Sequence, residues 1–567
     1  MRNVVAILIL CVSVTIVAPS QILTTLVDFD GSNGSTPFGG LIQGSDGNFY
    51  GTTDGGYNSD GTVFKMTPDG TLTILHNFNA TDGAHPRAPL VQGKDAYFYG
   101  TTTRGGPNYN GVVFKVNAQG DFRVLHYFTA TDGDGTSGAL VQGADGDFYG
   151  ASWVGVNDVG TVYKISADGT FTTLYTFDVS DGAYPNGLVL ASDGNFYGTT
   201  SQGGSKQLGT VFQITPAGTL TTIYNFCTAK NCTDGNTPYT GLVQGNDGYL
   251  YGTTSSGGAN NWGTSFKITL DGMFTKLFDY CFGQSCLLSP GTSPILGIDG
   301  NFYGTERGGG SENAGFIYQM TPTGKVTTLY NFLNESDGSD PYAALVQAKD
   351  GTFYSTTLEG GPNNNCVSWN GCGTAFRFDS GLFPILSVAK AVDGTVSSTD
   401  HHIYCGTACS YVYLKGAQIT LSAIPAPGYT FSGWTGCNNV NGSYCSVTMT
   451  TAKDITATFN SATQVTLASL TFNPAYVRGG QLSAGTLTLS ESAPSGGLTV
   501  ALGSDHPGVG HPPSFVFVPG NASSVKFAVN TFPVKSNTTV TIMATAGASE
   551  VSAKLTVGTI ANPPSLR

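Results

Sequence analysis

A Phe-Tyr-Gly triplet, or a near variant of it, returns seven times along this chain, with its tyrosine at Tyr50, Tyr99, Tyr149, Tyr197, Tyr251, Tyr303 and Tyr354. The intervals are 49, 50, 48, 54, 52 and 51 residues. Self-similarity at a period near 50 points to one propeller blade per repeat and is too long for the helical repeat classes. Each repeat reads as four strands. In the fourth copy they are Gly187 to Leu190, Asn195 to Thr200, Gly209 to Thr215 and Thr219 to Phe226, punctuated by Asp193-Gly194, Gly203-Gly204 and Pro216-Ala217-Gly218. Asp-Gly and Pro-x-Gly are hairpin chemistry, because glycine takes positive φ without a steric cost. Composition agrees. Of 567 residues 79 are glycine and only 11% are charged, against ~25% in ordinary soluble domains. Long solvent-facing helices need more Lys, Glu and Ala.

The fourth-strand pattern also occurs seven times, but out of phase. Its first copy, Ile22 to Phe29, precedes the first Phe-Tyr-Gly, and its last, Val326 to Phe332, precedes the seventh. After the third strand of the last repeat, Gly373 to Phe378, the chain runs into Asp379-Ser380-Gly381 with no fourth strand of its own. The N-terminal strand is therefore expected to complete the last blade. Such closure removes the open edges that a linear array leaves. The expected fold is all-β: a seven-bladed β-propeller over residues 21–381, closed by its N-terminal strand, followed by two small β-domains.

The run Gly-Leu-Val-Gln-Gly, Asp-Gly-Asn-Phe-Tyr-Gly-Thr-Thr, Gly-Gly and Gly-Thr-Val-Phe-Lys resembles the Gloeo-Verruco tandem repeat of exported bacterial proteins with varied C-terminal anchoring. The resemblance spans about residues 22 to 378. It implies export and a surface role but no chemistry, so no catalytic residue carries over from it. Residues 384–461 hold Cys405-Gly406-Thr407-Ala408-Cys409, Phe431-Ser432-Gly433-Trp434 followed by Cys437, and Cys445. They resemble the divergent internalin-type B-repeat of bacterial surface proteins. Trp434 reads as the core aromatic of that small fold, with a sugar platform as the alternative. Residues 462–558 show about seven short strands, from Leu467 to Phe472 through Ala553 to Val557, at the spacing of an Ig-like β-sandwich that lacks the Cys-Trp-Cys core. The tail, 559–567, is Pro-rich and expected to be disordered.

Met1-Arg2-Asn3, an apolar run from Val4 to Val17 and Ala18-Pro19-Ser20 read as a signal peptide over residues 1–20. The run is short for a membrane span, and an N-terminal anchor is the alternative. The ten cysteines beyond it fall in close pairs: Cys227 with Cys232, Cys281 with Cys286, Cys366 with Cys372, Cys405 with Cys409, and Cys437 with Cys445. Local pairing behind a signal peptide predicts disulfides and an oxidising compartment. Zinc would need four converging ligands, and no His cluster accompanies these pairs. A secreted, extracellular or cell-surface location in a bacterium is expected, with no membrane span after cleavage. The net charge of −13 and the lack of a basic stripe argue against nucleic acid and against an anionic membrane surface.

Uniform Asp-Gly turns, such as Asp46-Gly47 and Asp145-Gly146, read as one scaffold face of the propeller. The variable, longer loops read as the functional face. The residues just before each Gly-Gly position are Asp54, Arg104, Val154, Gln202, Ser256, Arg307 and Glu359. They are expected to ring one mouth of the central channel, with Tyr57, Tyr109, Trp153, Trp262 and Trp369 nearby. The candidate ligand-binding set is Asp54, Arg104, Trp153, Gln202, Trp262, Arg307, Glu359 and Trp369. Aromatics with a few polar groups in a concavity suit a neutral or glycan ligand. Drift on an exposed loop is the other reading.

The blade-linking Asp-Gly pairs (Asp30, Asp82, Asp132, Asp181, Asp234 and Asp337) come one per blade, whereas calcium wants several oxygens from one loop. They read as turns, and no metal or cofactor is expected. His76 and His126 stand where other repeats carry Tyr175 and Tyr224, and read as structural. No Ser-His-Asp or Cys-His set is legible. Glu306 with Arg307, or Glu359 with Asp54, would make a carboxylate site if brought together at the mouth. The expected function is non-catalytic binding or adhesion by an exported monomer, with a glycan or surface protein as partner. The alternatives are a polysaccharide-acting hydrolase or lyase, and a structural spacer of the cell envelope.

Overall fold

The computed structural model describes residues 21–56, 59–134, 138–155, 158–280, 293–333, 337–363, 365–366, 371–389, 393–405, 409–461, 465–494 and 496–559. The expected signal peptide, the Cys281–Cys286 pair, Tyr57, Trp369 and nearly all of the tail lie outside the described residues. Among the described residues seven antiparallel four-stranded sheets occupy the span 22–379. Six are built from consecutive strands. The remaining one is composite: Ile22–Asp28 pairs antiparallel with Thr374–Asp379, from Ile22 opposite Asp379 to Asp28 opposite Thr374. Phe353–Thr357 and Val346–Gln347 complete that sheet. This is the closure that the phase of the repeats predicts, and the fold is a β-propeller.

The Phe-Tyr-Gly triplet holds neighbouring blades together. Successive residues of a strand face opposite sides, so Phe and Tyr reach the two adjacent blades. Tyr50 stacks on Phe98 of the next blade with ring centroids 3.8 Å apart, Tyr99 on Phe148 at 3.9 Å, Tyr149 on Phe196 at 4.1 Å, Tyr251 on Phe302 at 4.1 Å and Tyr303 on Phe353 at 4.6 Å. Tyr354 returns to Phe49 at 4.0 Å and closes the circle. Tyr197 instead packs with Leu250. A buried tyrosine needs a partner for its hydroxyl, and the Asp of the preceding turn supplies it: Tyr50 donates to Asp46 at 2.8 Å, Tyr99 to Asp95 at 2.7 Å and Tyr149 to Asp145 at 2.7 Å. The glycine is required by space. A Cβ on Gly51 would lie 2.7 Å from the Phe64 ring and 2.8 Å from Leu41.

A second belt crosses the closure. Gln43 Oε1 accepts from the Lys349 backbone N–H at 3.0 Å, as Gln92 does from Ser45 and Gln347 from Ile298, both at 2.9 Å. The blade-linking aspartates are tied to the outer strands: Asp82 pairs with His76 Nε2 at 3.2 Å, Asp132 with His126 Nε2 at 3.1 Å, and Tyr224 and Tyr330 donate to Asp234 and Asp337 at 2.7 Å. His76 and His126 thus do the work of tyrosine. Disulfides join Cys227 to Cys232 and Cys366 to Cys372.

The chain forms two compact units, 1–387 with 408–419 and 446–455, and 388–407 with 420–445 and 456–567. The B-repeat segment is shared between them. Its strands form two sheets, in the orders Ser410–Val412, Ile385–Val388, Lys453–Ser461, Tyr429–Thr435 and Gly394–Ser398, Gln418–Pro425, Tyr444–Thr448, Asn439–Asn441. Cys437 is bonded to Cys445, and Cys405 and Cys409 are both in disulfides. Trp434 is half-buried against Phe431 at 5.6 Å. The last segment is a β-sandwich. Leu470, Leu487 and Val529 of a four-stranded sheet share one core with Val500, Val516, Val540 and Leu555 of a five-stranded one. Sequence patterning missed two of its strands, Tyr476–Arg478 and Gly510–His511, which are too short to show alternation. Among the described residues no helix is long and apolar enough to cross a membrane.

Candidate functional site

Among the described residues five blades begin with the same three-residue device: Thr36-Pro37-Phe38, His85-Pro86-Arg87, Tyr184-Pro185-Asn186, Thr237-Pro238-Tyr239 and Asp340-Pro341-Tyr342; a sixth copy in the sequence, Ser289-Pro290-Gly291, lies outside the described residues. The first residue of each is left-handed, with φ of 49°, 57°, 57°, 51° and 53°. Such a backbone is uncommon without glycine and costs about 1–3 kcal/mol, so it persists only where the surroundings impose it. Here each N–H donates to a carbonyl of the preceding blade: Thr36 to Cys372 at 2.9 Å, His85 to Asp60 at 2.8 Å, Tyr184 to Val159 at 2.9 Å, Thr237 to Leu208 at 2.8 Å and Asp340 to Ala314 at 3.1 Å. Each proline ring lies on the glycine that follows that carbonyl. A Cβ on Gly373, Gly61, Gly160, Gly209 or Gly315 would come within 3 Å of the Cδ of Pro37, Pro86, Pro185, Pro238 or Pro341. The kink delivers the third residue to an equivalent place in each of these five blades.

Those third residues converge. Phe38, Arg87, Asn186, Tyr239 and Tyr342 line one cavity of about 340 Å³ together with Trp153. The rest of its wall is small, including Gly40, Gly138, Gly187, Gly241, Ser293 and Ala344. The volume lies within the ~300–1,000 Å³ of small-ligand sites. Arg87 Nε donates to Asp54 Oδ1 at 2.8 Å and lies with its guanidinium 4.8 Å from the Phe38 ring centroid. Phe38 meets Tyr342 edge-on at 5.3 Å. Arg307 lies 4.8 Å over Tyr342, and its Nε and Nη2 donate to Asp340 at 2.6 and 2.7 Å. The two ion pairs join equivalent loops with the charges exchanged, and both cations are balanced. Trp153 and the half-exposed Tyr239 tilt towards each other at 6.3 Å.

Burial would raise the Asp54 carboxyl, but the His85 ring, whose Nδ1 is 3.4 Å away, and the hydrogen bonds from Arg87 outweigh it and hold the group below its usual range. Glu359 moves the other way, raised by burial and then by Asp340, against the pull of Arg307. Asn186 Nδ2 donates to Thr199 Oγ1 at 2.9 Å and to the Pro238 carbonyl at 3.0 Å. A carbonyl only accepts, so the amide orientation is determined.

Of the residues singled out from the sequence, Trp153 lines the cavity. Asp54 and Arg307 stand behind its wall, on Arg87 and Tyr342, and Glu359 lies within electrostatic reach of Arg307 and Asp340. Arg104 is exposed and acts on Asp134; Gln202 is exposed, with its backbone paired to Ala183. Trp262 is exposed and outside the cavity lining. The structure brings Arg307 and Glu359 together around Asp340, and holds Asp54 and Arg104 in separate contacts, with Arg87 and with Asp134. Glu306 departs from the expectation of a site at the mouth. Strand alternation turns it away from Arg307 into the blade, where it is fully buried. The residues that sequence reading passed over, Phe38, Arg87, Asn186, Tyr239 and Tyr342, had a signal: they vary in type directly after a recurring proline. Among the described residues no set of His, Cys, Asp and Glu gathers as metal ligands.

Comparison with solved structures returns distant likenesses. An arginine-to-alanine triple mutant of AofleA from Arthrobotrys oligospora is 10% identical, with a TM-score of 0.32 over 55% of this chain and 90% of that one. Dipeptidyl peptidase 4 of Porphyromonas gingivalis is 8% identical, with a TM-score of 0.32 over 58% of this chain and 56% of that one. Hydrazine synthase of Kuenenia stuttgartiensis is 12% identical, with a TM-score of 0.28 over 71% of this chain and 65% of that one. At such scores none of them informs the function. No curated protein matches the chain. The divergent InlB B-repeat domain matches residues 386–463, after a repeat match in the order expected. That repeat, the Gloeobacter/Verrucomicrobia repeat, matches residues 12–191 and 184–401, most of the chain, and the protein belongs to this repeat family.

Proposed function

We propose that this chain is an exported surface protein that binds a neutral glycan, without catalysis, in the mouth of its propeller channel. The supporting observation is the position after the link proline. Its frame is the same in five blades, yet it carries Phe, Arg, Asn, Tyr and Tyr, and all five line one cavity. A purely structural position would repeat its residue type, as the proline and glycine around it do. Aromatic faces, few polar groups and balanced charge suit an uncharged sugar ring. The disulfides suit an oxidising compartment. The test is an array of immobilised oligosaccharides probed with the native protein and with Tyr239→Ala and Trp153→Ala. Each substitution is expected to weaken binding about tenfold, the scale of one aromatic contact. Glycan binding left unchanged by both would remove the mouth as the site.

Cleavage of a polysaccharide is the second reading, favoured by the raised Glu359 carboxyl beside Asp340. It requires turnover that Glu359→Gln abolishes.

A further inference from the structure

The cavity draws its lining from around the whole ring. Phe38, Arg87, Trp153, Asn186, Tyr239 and Tyr342 come from six different blades and Ser293 from the remaining one, so among the described residues every blade contributes to the lining. Neighbouring blades approach one another closely at the small residues of the lining. A Cβ on Gly40 would sit 3.2 Å from the Ala344 carbonyl, and one on Gly138 would sit 2.6 Å from the Gly187 Cα. Ser293 Oγ donates to the Gly241 carbonyl at 2.9 Å. The lining stops at this level and includes none of the Asp-Gly turns of the opposite face.

Asn186 supplies the polar determinant. It is 5% exposed, both amide hydrogens are used on Thr199 and Pro238, and among the described residues no donor reaches its Oδ1. The amide lines the cavity, so what it offers there is a fixed, nearly buried acceptor. Such an acceptor wants a hydroxyl and repels a carboxylate, and the cation beside it is already paired with Asp54.

We infer that the mouth takes the non-reducing terminal ring of a neutral glycan end-on, with a ring hydroxyl donating to Asn186 Oδ1 and a ring face against Tyr239 and Trp153. This rests on the glycan reading above. Glycans fixed to a surface through their reducing ends present only the non-reducing ring, which carries free hydroxyls at all positions but one. A cavity of about 340 Å³ with lining from every blade suits a chain end better than a run of chain.

The experiment starts from oligosaccharides attached to the array through their reducing ends. The best-bound structure is then titrated by calorimetry as free oligomers of one, two, four and six rings, and as an analogue whose terminal ring is O-methylated. Affinity is expected to change less than about threefold between two and six rings, and to fall at least about tenfold on methylation. Tyr239→Ala, at an exposed position where the fold is insensitive, should weaken every oligomer alike, and Asn186→Ser, checked for native circular dichroism, should erase the penalty of methylation. Affinity that climbs with each added ring, or a methylated end bound as well as a free one, would overturn end-on capture and leave glycan binding standing. No binding to any glycan would overturn both.

Discussion

Glu306 stands where other blades carry a hydroxyl pair. Thr53 bonds Thr62 at 2.8 Å, Thr200 bonds Thr210 at 2.8 Å and Thr357 bonds Thr374 at 2.9 Å, each pair buried between the second and third strands. In this blade the partner is Phe316, and neither Glu306 oxygen has a hydrogen-bond partner among the described residues. Burial pushes the carboxyl well above its ordinary range. The folded protein keeps a proton that the unfolded chain releases above about pH 4.3. Stability is therefore lost as the pH rises from there towards the folded-state value. Glu306→Thr is expected to be more stable than the native protein at pH 7.5, by about 1–3 kcal/mol, the scale for relieving an unsatisfied buried group. The gain should shrink towards pH 4, as read from urea unfolding at several pH values. The substitution also reinstates the hydroxyl of the other repeats, although Phe316 offers it no partner.

At the scale of the element, the link device couples each blade to the one before it. Gly209 shows how tightly: its φ is 100°, and a Cβ there would meet the Thr200 carbonyl and Pro238 Cδ. Gly209→Ala should lose about 1–3 kcal/mol through crowding and backbone strain together, measured by chemical denaturation. A smaller loss would mean that the proline–glycine contact yields easily. The period, hairpins and turns were legible from the sequence because their chemistry is local: Asp46 and Tyr50 are four residues apart. The cavity was much less so. Phe38 and Tyr342 come into contact only through closure of the ring, with most of the propeller between them in sequence. Trp153 was legible because tryptophan is scarce here. Arg87 was passed over because a cation after a proline looks like ordinary surface, and only its place over Phe38 and on Asp54 gives it meaning. Glu306 misled because its chain neighbour Arg307 does lie at the loop, while strand alternation sends the two side chains to opposite faces.

For the whole molecule, closure rests on one strand. Removing residues 22–28 would leave Thr374–Asp379 as a bare edge and uncover Phe376 and Phe378, both fully buried in the native protein. Unpaired edges of this kind invite association between chains. The shortened protein is expected to elute as larger species in size-exclusion chromatography and to be cut by protease within the last blade. A monomer with native protease resistance would show that the Phe49–Tyr354 stack and the Gln43 bond suffice to hold the ring.

The same strand sets the order in which the ring can be made. Ile22 pairs with Asp379, 357 positions further along the chain, whereas each of the other propeller sheets is assembled from strands that follow one another directly. Six blades form from local hairpins as soon as their residues are available. The seventh waits for the far end of the propeller, and contacts so distant in sequence are the slow ones. Until then a strand is free at one end and its slot is empty at the other, and at high protein concentration the nearest strand belongs to another copy. Refolding should therefore give closed rings in dilute solution and strand-exchanged pairs in concentrated solution from one and the same chain.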